Sequence, residues 1–151
     1  MRNVSSSQGM RGVREQQAYR KLQILFVDSD VNACDKVQSA LGGGFSVVCV
    51  GSVDEARNSL NTSIPDVLIS EISLGLQQES GLDLCSYIRG IPSLRHIPVM
   101  LLTSLTTLQD KVAGFHAGAD DYVVKPFDAL HLQARIRLLA RIKRLERHTS
   151  I

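Results

Sequence analysis

Four short polar groups stand at the ends of apolar runs in this chain, and their side chains carry most of its capacity for chemistry. Leu22–Val27 ends in Asp28-Ser29-Asp30, Asp66–Ser70 in Glu71, Ile97–Leu102 in Thr103-Ser104, and Asp121–Val124 in Lys125-Pro126. Two kinds of carboxylate-bearing turn, a hydroxyl and a cation are the parts of an ion-pairing cleft. Lys125 is expected to pair with Glu71 or Asp28, and Pro126 biases it toward the extended backbone that suits aiming its side chain at that cleft. Each group also has a plainer use. Asp30 or Ser29 would cap a following helix, and the Thr103 hydroxyl would be satisfied at its strand end.

The elements that must position these groups follow from hydrophobic periodicity. Leu22–Val27 reads as a buried strand, and Asp30–Leu41 as a helix with Ala33, Cys34, Val37, Ala40 and Leu41 on one face, stopped by Gly42-Gly43-Gly44. Phe45–Val50 is a second strand, and Val53–Leu60 a helix capped by Ser52 or Asp54. Asp66–Ser70 is the third strand, followed by a loop through Gly75 and Gly81 and a helix at Leu82–Arg89. Ile97–Leu102 is the fourth strand. Thr106–Ala117 is helical with Leu108, Val112 and Phe115 inward, and Gly118 is its left-handed stop. Asp121–Val124 makes a short fifth strand, and Asp128–Arg147 a long last helix.

Five strands alternating with five helices require a parallel sheet with right-handed crossovers, an α/β domain. Nearly continuous apolar strands fit a sheet covered on both faces. All four polar groups then gather at the carboxyl edge, where ligands collect in open α/β folds. A binding protein holding an anionic ligand there is one reading, but the chain lacks a glycine-rich phosphate loop.

Hydrophobic content of 44% and charged content of 21% are ordinary for one globular domain. No apolar run approaches the ~20 residues that span a membrane. The N-terminus, with Arg2, Arg11 and Arg14, lacks the apolar core of a signal peptide, so a cytoplasmic location is expected. The net charge of +2 hides a segregation: residues 22–127 hold six Lys and Arg against twelve Asp and Glu, while residues 1–21 and 128–151 are each basic. An acidic body argues against nucleic-acid binding by the domain itself and leaves the basic ends for contacts with other chains. Cys34, Cys49 and Cys85 are odd in number and lack CxxC spacing, so buried free thiols are expected rather than a disulfide or a zinc site. His96, His116, His131 and His148 have no ligand spacing and are expected on surfaces.

The stretch Gly118-Ala119-Asp120-Asp121-Tyr122-Val123-Val124-Lys125-Pro126-Phe127, taken with the strand endings, closely resembles the receiver domain of bacterial response regulators in two-component signalling. The resemblance covers residues 22–147. It implies a flavodoxin-like sheet of order 2-1-3-4-5 flanked by five helices, with an extended C-terminal helix. The implied organisation is a flexible tail at 1–20, a receiver domain at 21–147 and a tail or linker from 148 to 151.

In that family the residue at position 71 is an aspartate that accepts a phosphoryl group and helps hold Mg²⁺ with acids after the first strand. Here Asp28 matches the first acid, Ser29 replaces the second, and Asp30 matches a position that usually does not bind metal, so Asp28, Asp30 and Glu71 offer at most a weak metal site. Thr103, Tyr122 and Lys125 match the switch residues. The loop from Leu74 to Gly81 lacks the proline common there and runs long. The implied reading is an atypical, phosphorylation-independent receiver that is not an enzyme, needs no cofactor and acts through protein contacts. The rival reading is a working phosphoacceptor in a histidine-kinase phosphorelay with Mg²⁺. Partners implied are protein chains or a C-terminal output domain, with a homodimer through helix 4, strand 5 and helix 5 or through the last helix, whose Ile142 and Leu145 extend its apolar stripe.

Overall fold

Alternation of side chains along a strand sends neighbours to opposite faces of a sheet, so a strand apolar at every position must be covered on both sides. Such strands form the centre of this protein. The computed structural model describes residues 20–149, with side chains through residue 143. Strands β1 (Leu22–Val27), β2 (Phe45–Val50), β3 (Val67–Ser70), β4 (Val99–Thr103) and β5 (Asp121–Val124) alternate with helices α1 (Val31–Leu41), α2 (Val53–Thr62), α3 (Gly81–Gly90), α4 (Leu108–His116) and α5 (Ala129–Thr149). The sheet is wholly parallel, in the order β2-β1-β3-β4-β5. This is the flavodoxin-like architecture expected.

Leu25, Val27, Leu68, Val99 and Leu101 face one side and meet Val53, Ala56 and Leu60 of α2 and Leu84, Cys85 and Ile88 of α3. Ile24, Phe26, Val67, Ile69, Met100 and Leu102 face the other, against Ala33, Val37 and Leu41 of α1 and Leu132, Ile136 and Leu139 of α5. Each fully buried Leu, Ile or Phe contributes about 1.5–3 kcal/mol, against about 0–1 for an exposed ion pair. The two apolar layers therefore dominate the stability of the frame.

Caps end the helices where the sequence supplies them. Asp30 accepts from the Asn32 N–H ahead of α1, and Ser52 from the Glu55 N–H ahead of α2. Reciprocal capping boxes, Ser80 with Asp83 and Thr107 with Asp110, start α3 and α4. The three glycines after α1 form a short 3₁₀ turn (Gly42–Gly44), and Gly118 has φ 109°. Helix α5 runs to Thr149, so His148 and Thr149 are helical. Residues 1–19, most of the expected tail, and 150–151 lie outside the described residues.

Two expectations are corrected. Leu108, Val112 and Phe115 of α4 are 73%, 47% and 49% exposed rather than inward. The helix seats itself through Gly114 instead: a Cβ there would lie 2.8 Å from Leu101 Cδ1 and 3.1 Å from the Tyr122 ring. With the smallest residue as the contact, the larger apolar ones are carried past the sheet edge. Second, Cys34 and Cys49 are joined as a disulfide, with Cα atoms 6.1 Å apart. Helix α1 packs across its neighbouring edge strand and brings together two cysteines that spacing alone does not pair. Cys85 is the buried free thiol expected. His96, His116 and His131 are exposed, while the side chains of His148 and Leu145 lie outside the described residues.

Along α5, Leu132, Ile136 and Leu139 are buried and Ile142 is 42% exposed. The helix remains attached beyond Leu139, since Lys143 Nζ stands 2.9 Å from Asp120 Oδ1. The other oxygen of Asp120 accepts from Arg89 at 2.7 Å and from the Val99 N–H at 2.9 Å. Arg135 pairs with both oxygens of Asp121. Among the described residues no helix is long and apolar enough to cross a membrane.

Candidate functional site

The carboxyl ends of the strands are laced together by backbone hydrogen bonds, and that lacing aims the polar groups. The Asp28 N–H donates to Val50 O at 3.0 Å, the Glu71 N–H to Val27 O at 2.9 Å, and the Lys125 N–H to Thr103 O at 2.8 Å. Asp28, Glu71 and Lys125 are thereby held over one cleft by β1, β3 and β5. The Lys125–Pro126 peptide bond is cis.

Lys125 pairs with both acids rather than with one. Its Nζ lies 2.8 Å from Asp28 Oδ2 and 3.1 Å from Glu71 Oε1. The side chains of Asp28 and Glu71 are 4% and 10% exposed, so one ammonium is shared by two carboxylates that water hardly reaches, and the three groups together keep one net negative charge. Burial alone would lower the Lys125 pKa, but the hydrogen bond to Asp28 and the charges of Glu71 and Asp28 outweigh it and raise the pKa.

The remaining carboxylate oxygens are also engaged. Glu71 Oε2 accepts from the Ile72 N–H at 2.6 Å and the Ser73 N–H at 3.4 Å, so the side chain folds back over its own following backbone. Asp28 Oδ1 accepts from the Asp30 N–H at 3.0 Å. Asp30 is turned away from the pair, since its Oδ1 caps α1. Of the acids at these strand ends, the structure brings Asp28 and Glu71 together and leaves Asp30 outside.

Thr103 is fully buried, and its Oγ1 accepts from the Leu105 N–H at 3.3 Å. Tyr122 is turned inward, 7% exposed, and its hydroxyl donates to Leu105 O at 2.9 Å. Desolvation raises the Tyr122 pKa, with smaller contributions from Asp110 and Glu71. Thr103 and Tyr122 thus hold the same residue of the β4–α4 loop, from opposite backbone atoms.

Several contributors were not singled out by sequence reasoning. The amides of Ile72 and Ser73 carry no side-chain signature. Leu105 acts through its backbone alone. Gly81, noted only as a loop glycine, packs directly on the acid: a Cβ there would lie 2.2 Å from Glu71 O and 2.9 Å from Ser70 Oγ. Its N–H donates to Ile72 O at 2.8 Å. The long loop before it is tied down through Glu79, whose two oxygens meet Arg57 of α2 at 3.1 and 2.7 Å. Arg57 in turn lies over the Tyr87 ring at 4.7 Å. A glycine immediately after a capping serine was the one available signal for the close approach.

A doubly wound sheet of this order, with two acids and a lysine converging at its carboxyl edge and an inward tyrosine beside a buried threonine, defines a receiver-type signalling domain. A model of the response regulator receiver domain matches residues 24–137, and the chain belongs to that family. The response regulator protein PmrA of Pseudomonas aeruginosa is 39% identical over 125 residues, covering 80% of this chain and 53% of that protein. The DNA-binding response regulator MtrA of Mycolicibacterium smegmatis is 34% identical over 125 residues, covering 82% and 52%. The solved BeF₃-activated N-terminal receiver domain of Klebsiella pneumoniae RstA matches with a TM-score of 0.71 at 30% identity, covering 79% of this chain and 98% of that one. The chain spans about half the length of these curated relatives. Both are named as regulators rather than as enzymes.

The Mg²⁺ that the family implies would need several oxygen ligands at octahedral positions. Ser29 offers no carboxylate, Asp30 is spent as a cap, and the oxygens of Asp28 and Glu71 are already engaged by Lys125 and by backbone amides. Among the described residues no group of three or more His, Cys, Asp or Glu side chains is placed to hold a metal ion. The donor set fits the ion poorly.

Proposed function

We propose that this domain is an atypical receiver that works without phosphorylation, and that Glu71 stands in the phosphoacceptor place as a structural anion. The observation that carries this reading is the engagement of both Glu71 oxygens, Oε1 by Lys125 and Oε2 by the amides of Ile72 and Ser73. Phosphoryl transfer depends on a free, aligned oxygen and on charge neutralised by metal and cations. Here neither oxygen is free, and Lys125 is already shared between two carboxylates. Glu71 carries one negative charge, against about −1.5 to −2 on a phosphoryl group, so it imitates that group only in part.

The inward Tyr122 and its bond to Leu105 O support a domain whose switch residues, Thr103, Tyr122 and Lys125, rest in one arrangement without a phosphoryl group. Signalling would then proceed by contact with other proteins in the cytoplasm. The exposed Leu108, Val112 and Phe115 of α4 support the α4–β5–α5 face as a contact surface, including one between two copies of the chain. The partial coverage of MtrA, a DNA-binding response regulator by name, supports an output domain following α5, with α5 as its connector. Nucleic acid would be met by that domain and not by this acidic one.

Incubation with acetyl phosphate and Mg²⁺, followed by intact-mass measurement, tests the reading. The expected mass is unchanged. A stoichiometric gain of one phosphoryl group would overturn it in favour of a working phosphoacceptor served by a histidine kinase and Mg²⁺.

A further inference from the structure

The disulfide closes a ring of contacts around Asp28. Cys49 is the penultimate residue of β2, and the next residue, Val50, accepts the Asp28 N–H at 3.0 Å through its carbonyl. Cys34 lies in the first turns of α1, the helix capped by Asp30, whose own N–H donates to Asp28 Oδ1 at 3.0 Å. The Cys34–Cys49 bond links these two elements. Asp28 is thus gripped by two segments that the disulfide fastens to each other.

We infer that Cys34 and Cys49 form a reversible thiol–disulfide exchange site, and that its redox state sets how firmly α1 and β2 hold Asp28 against Lys125. Both cysteines are half-buried rather than enclosed in the core. Cys85 is the internal contrast: it is fully buried, and burial pushes its thiol up to about 11, which keeps the nucleophilic thiolate scarce. The two halves of the pair belong to a helix and an edge strand that also pack into the core through Ala33, Val37 and Phe45, so reduction loosens their junction and leaves the frame standing. In a reducing compartment such bonds are typically transient, redox-sensing ones. The exchange partner is a small dithiol or a glutathione-type thiol. Its thiolate attacks one protein sulfur, forming a mixed disulfide, and the other sulfur leaves as a thiolate that takes up a proton. A second reductant thiol then displaces the remaining protein sulfur, so the protein gains two thiols while the reductant becomes a disulfide. Oxidised glutathione drives the reverse. This input is separate from any phosphoryl chemistry at Glu71.

The test equilibrates the chain in glutathione buffers of graded redox poise, then reads thiols by maleimide mass labelling and backbone mobility by hydrogen exchange. Cys34 and Cys49 are expected to lose and regain label together, with Cys85 labelled only after denaturation. Amides of residues 28–36 and 47–51 should exchange several-fold faster in the reduced protein. Cys34→Ser and Cys49→Ser variants should show the fast rates at every poise, and Cys85→Ser should follow the wild type. Free Cys34 and Cys49 at the most oxidising poise would overturn the inference. So would identical exchange at residues 28–36 in the oxidised and reduced wild type, a comparison that needs no variant to fold.

Discussion

The ammonium of Lys125 lies 2.8 Å from Asp28, a residue 97 positions earlier in the chain. Glu71 shares the same ammonium, so one cation holds two nearly buried carboxylates together. Removing the cation would set two like charges against each other where water cannot screen them. Lys125→Met is therefore expected to cost about 1–3 kcal/mol at neutral pH, below the usual figure for breaking a fully buried pair because the Lys125 side chain is 26% exposed. Urea titrations of both proteins at pH 7 measure it, and an unchanged midpoint would contradict the pairing.

The alkaline side carries a second expectation. The folded-state pKa of Lys125 is raised above its unfolded value, and so is that of Tyr122. The stabilisation by each is complete below the unfolded pKa, about 10 for Tyr and 10.4 for Lys, and is lost as pH rises through the folded one. Stability of the wild type should hold from neutral pH to about 10 and fall above it. The Lys125→Met variant should lose less over that alkaline range, as read from thermal midpoints at stepped pH.

Tyr122→Phe removes only the bond to Leu105 O. A loss of about 1 kcal/mol is expected, together with faster hydrogen exchange in residues 104–107. Unchanged exchange there would mean that the hydroxyl does not hold the loop.

Gly81→Ala probes the seat of Glu71. The added Cβ would meet Glu71 O at 2.2 Å, and a backbone atom cannot step aside as a flexible side chain can. A cost of about 3 kcal/mol is expected, at the upper end for overpacking. Amide resonances of Glu71 and Ile72 should move more than those of α5, which lies on the other face.

Chemistry at position 71 can be approached from the reverse direction. Shortening Glu71 to Asp frees its carboxylate from the Ile72 and Ser73 amides, and Ser29→Asp restores a metal-binding acid. The double variant is expected to gain one phosphoryl group from acetyl phosphate with Mg²⁺, and each single variant far less. Intact mass reads the outcome. No gain in the double variant would locate the block elsewhere, with the loop from Leu74 to Gly81 first in line.

Apolar runs such as Leu22–Val27 and Ile97–Leu102 made the five strands legible, because a strand covered on both faces must be apolar throughout. Parallelism followed, since a helix between successive strands leaves few alternatives, and the order 2-1-3-4-5 came from the resemblance to receiver domains. The gathering of Asp28, Glu71, Thr103 and Lys125 at one edge was legible for the same reason: each stands at the end of its run. Side chains on α4 were misread because periodicity marks an apolar stripe without saying which residue touches the sheet, and Gly114 does.

By itself, then, the sequence determined the strands, their parallel pairing and the edge where the polar groups meet, because local periodicity and chain connectivity dictate those, while the strand order came from the family resemblance. Tertiary structure decided the rest. That Lys125 bridges two acids, that Glu71 turns back onto its own amides, and that Cys34 meets Cys49 depend on rotamers and on distances between elements remote in the chain. Such choices are made when side chains compete for the same small volume, which no local pattern records.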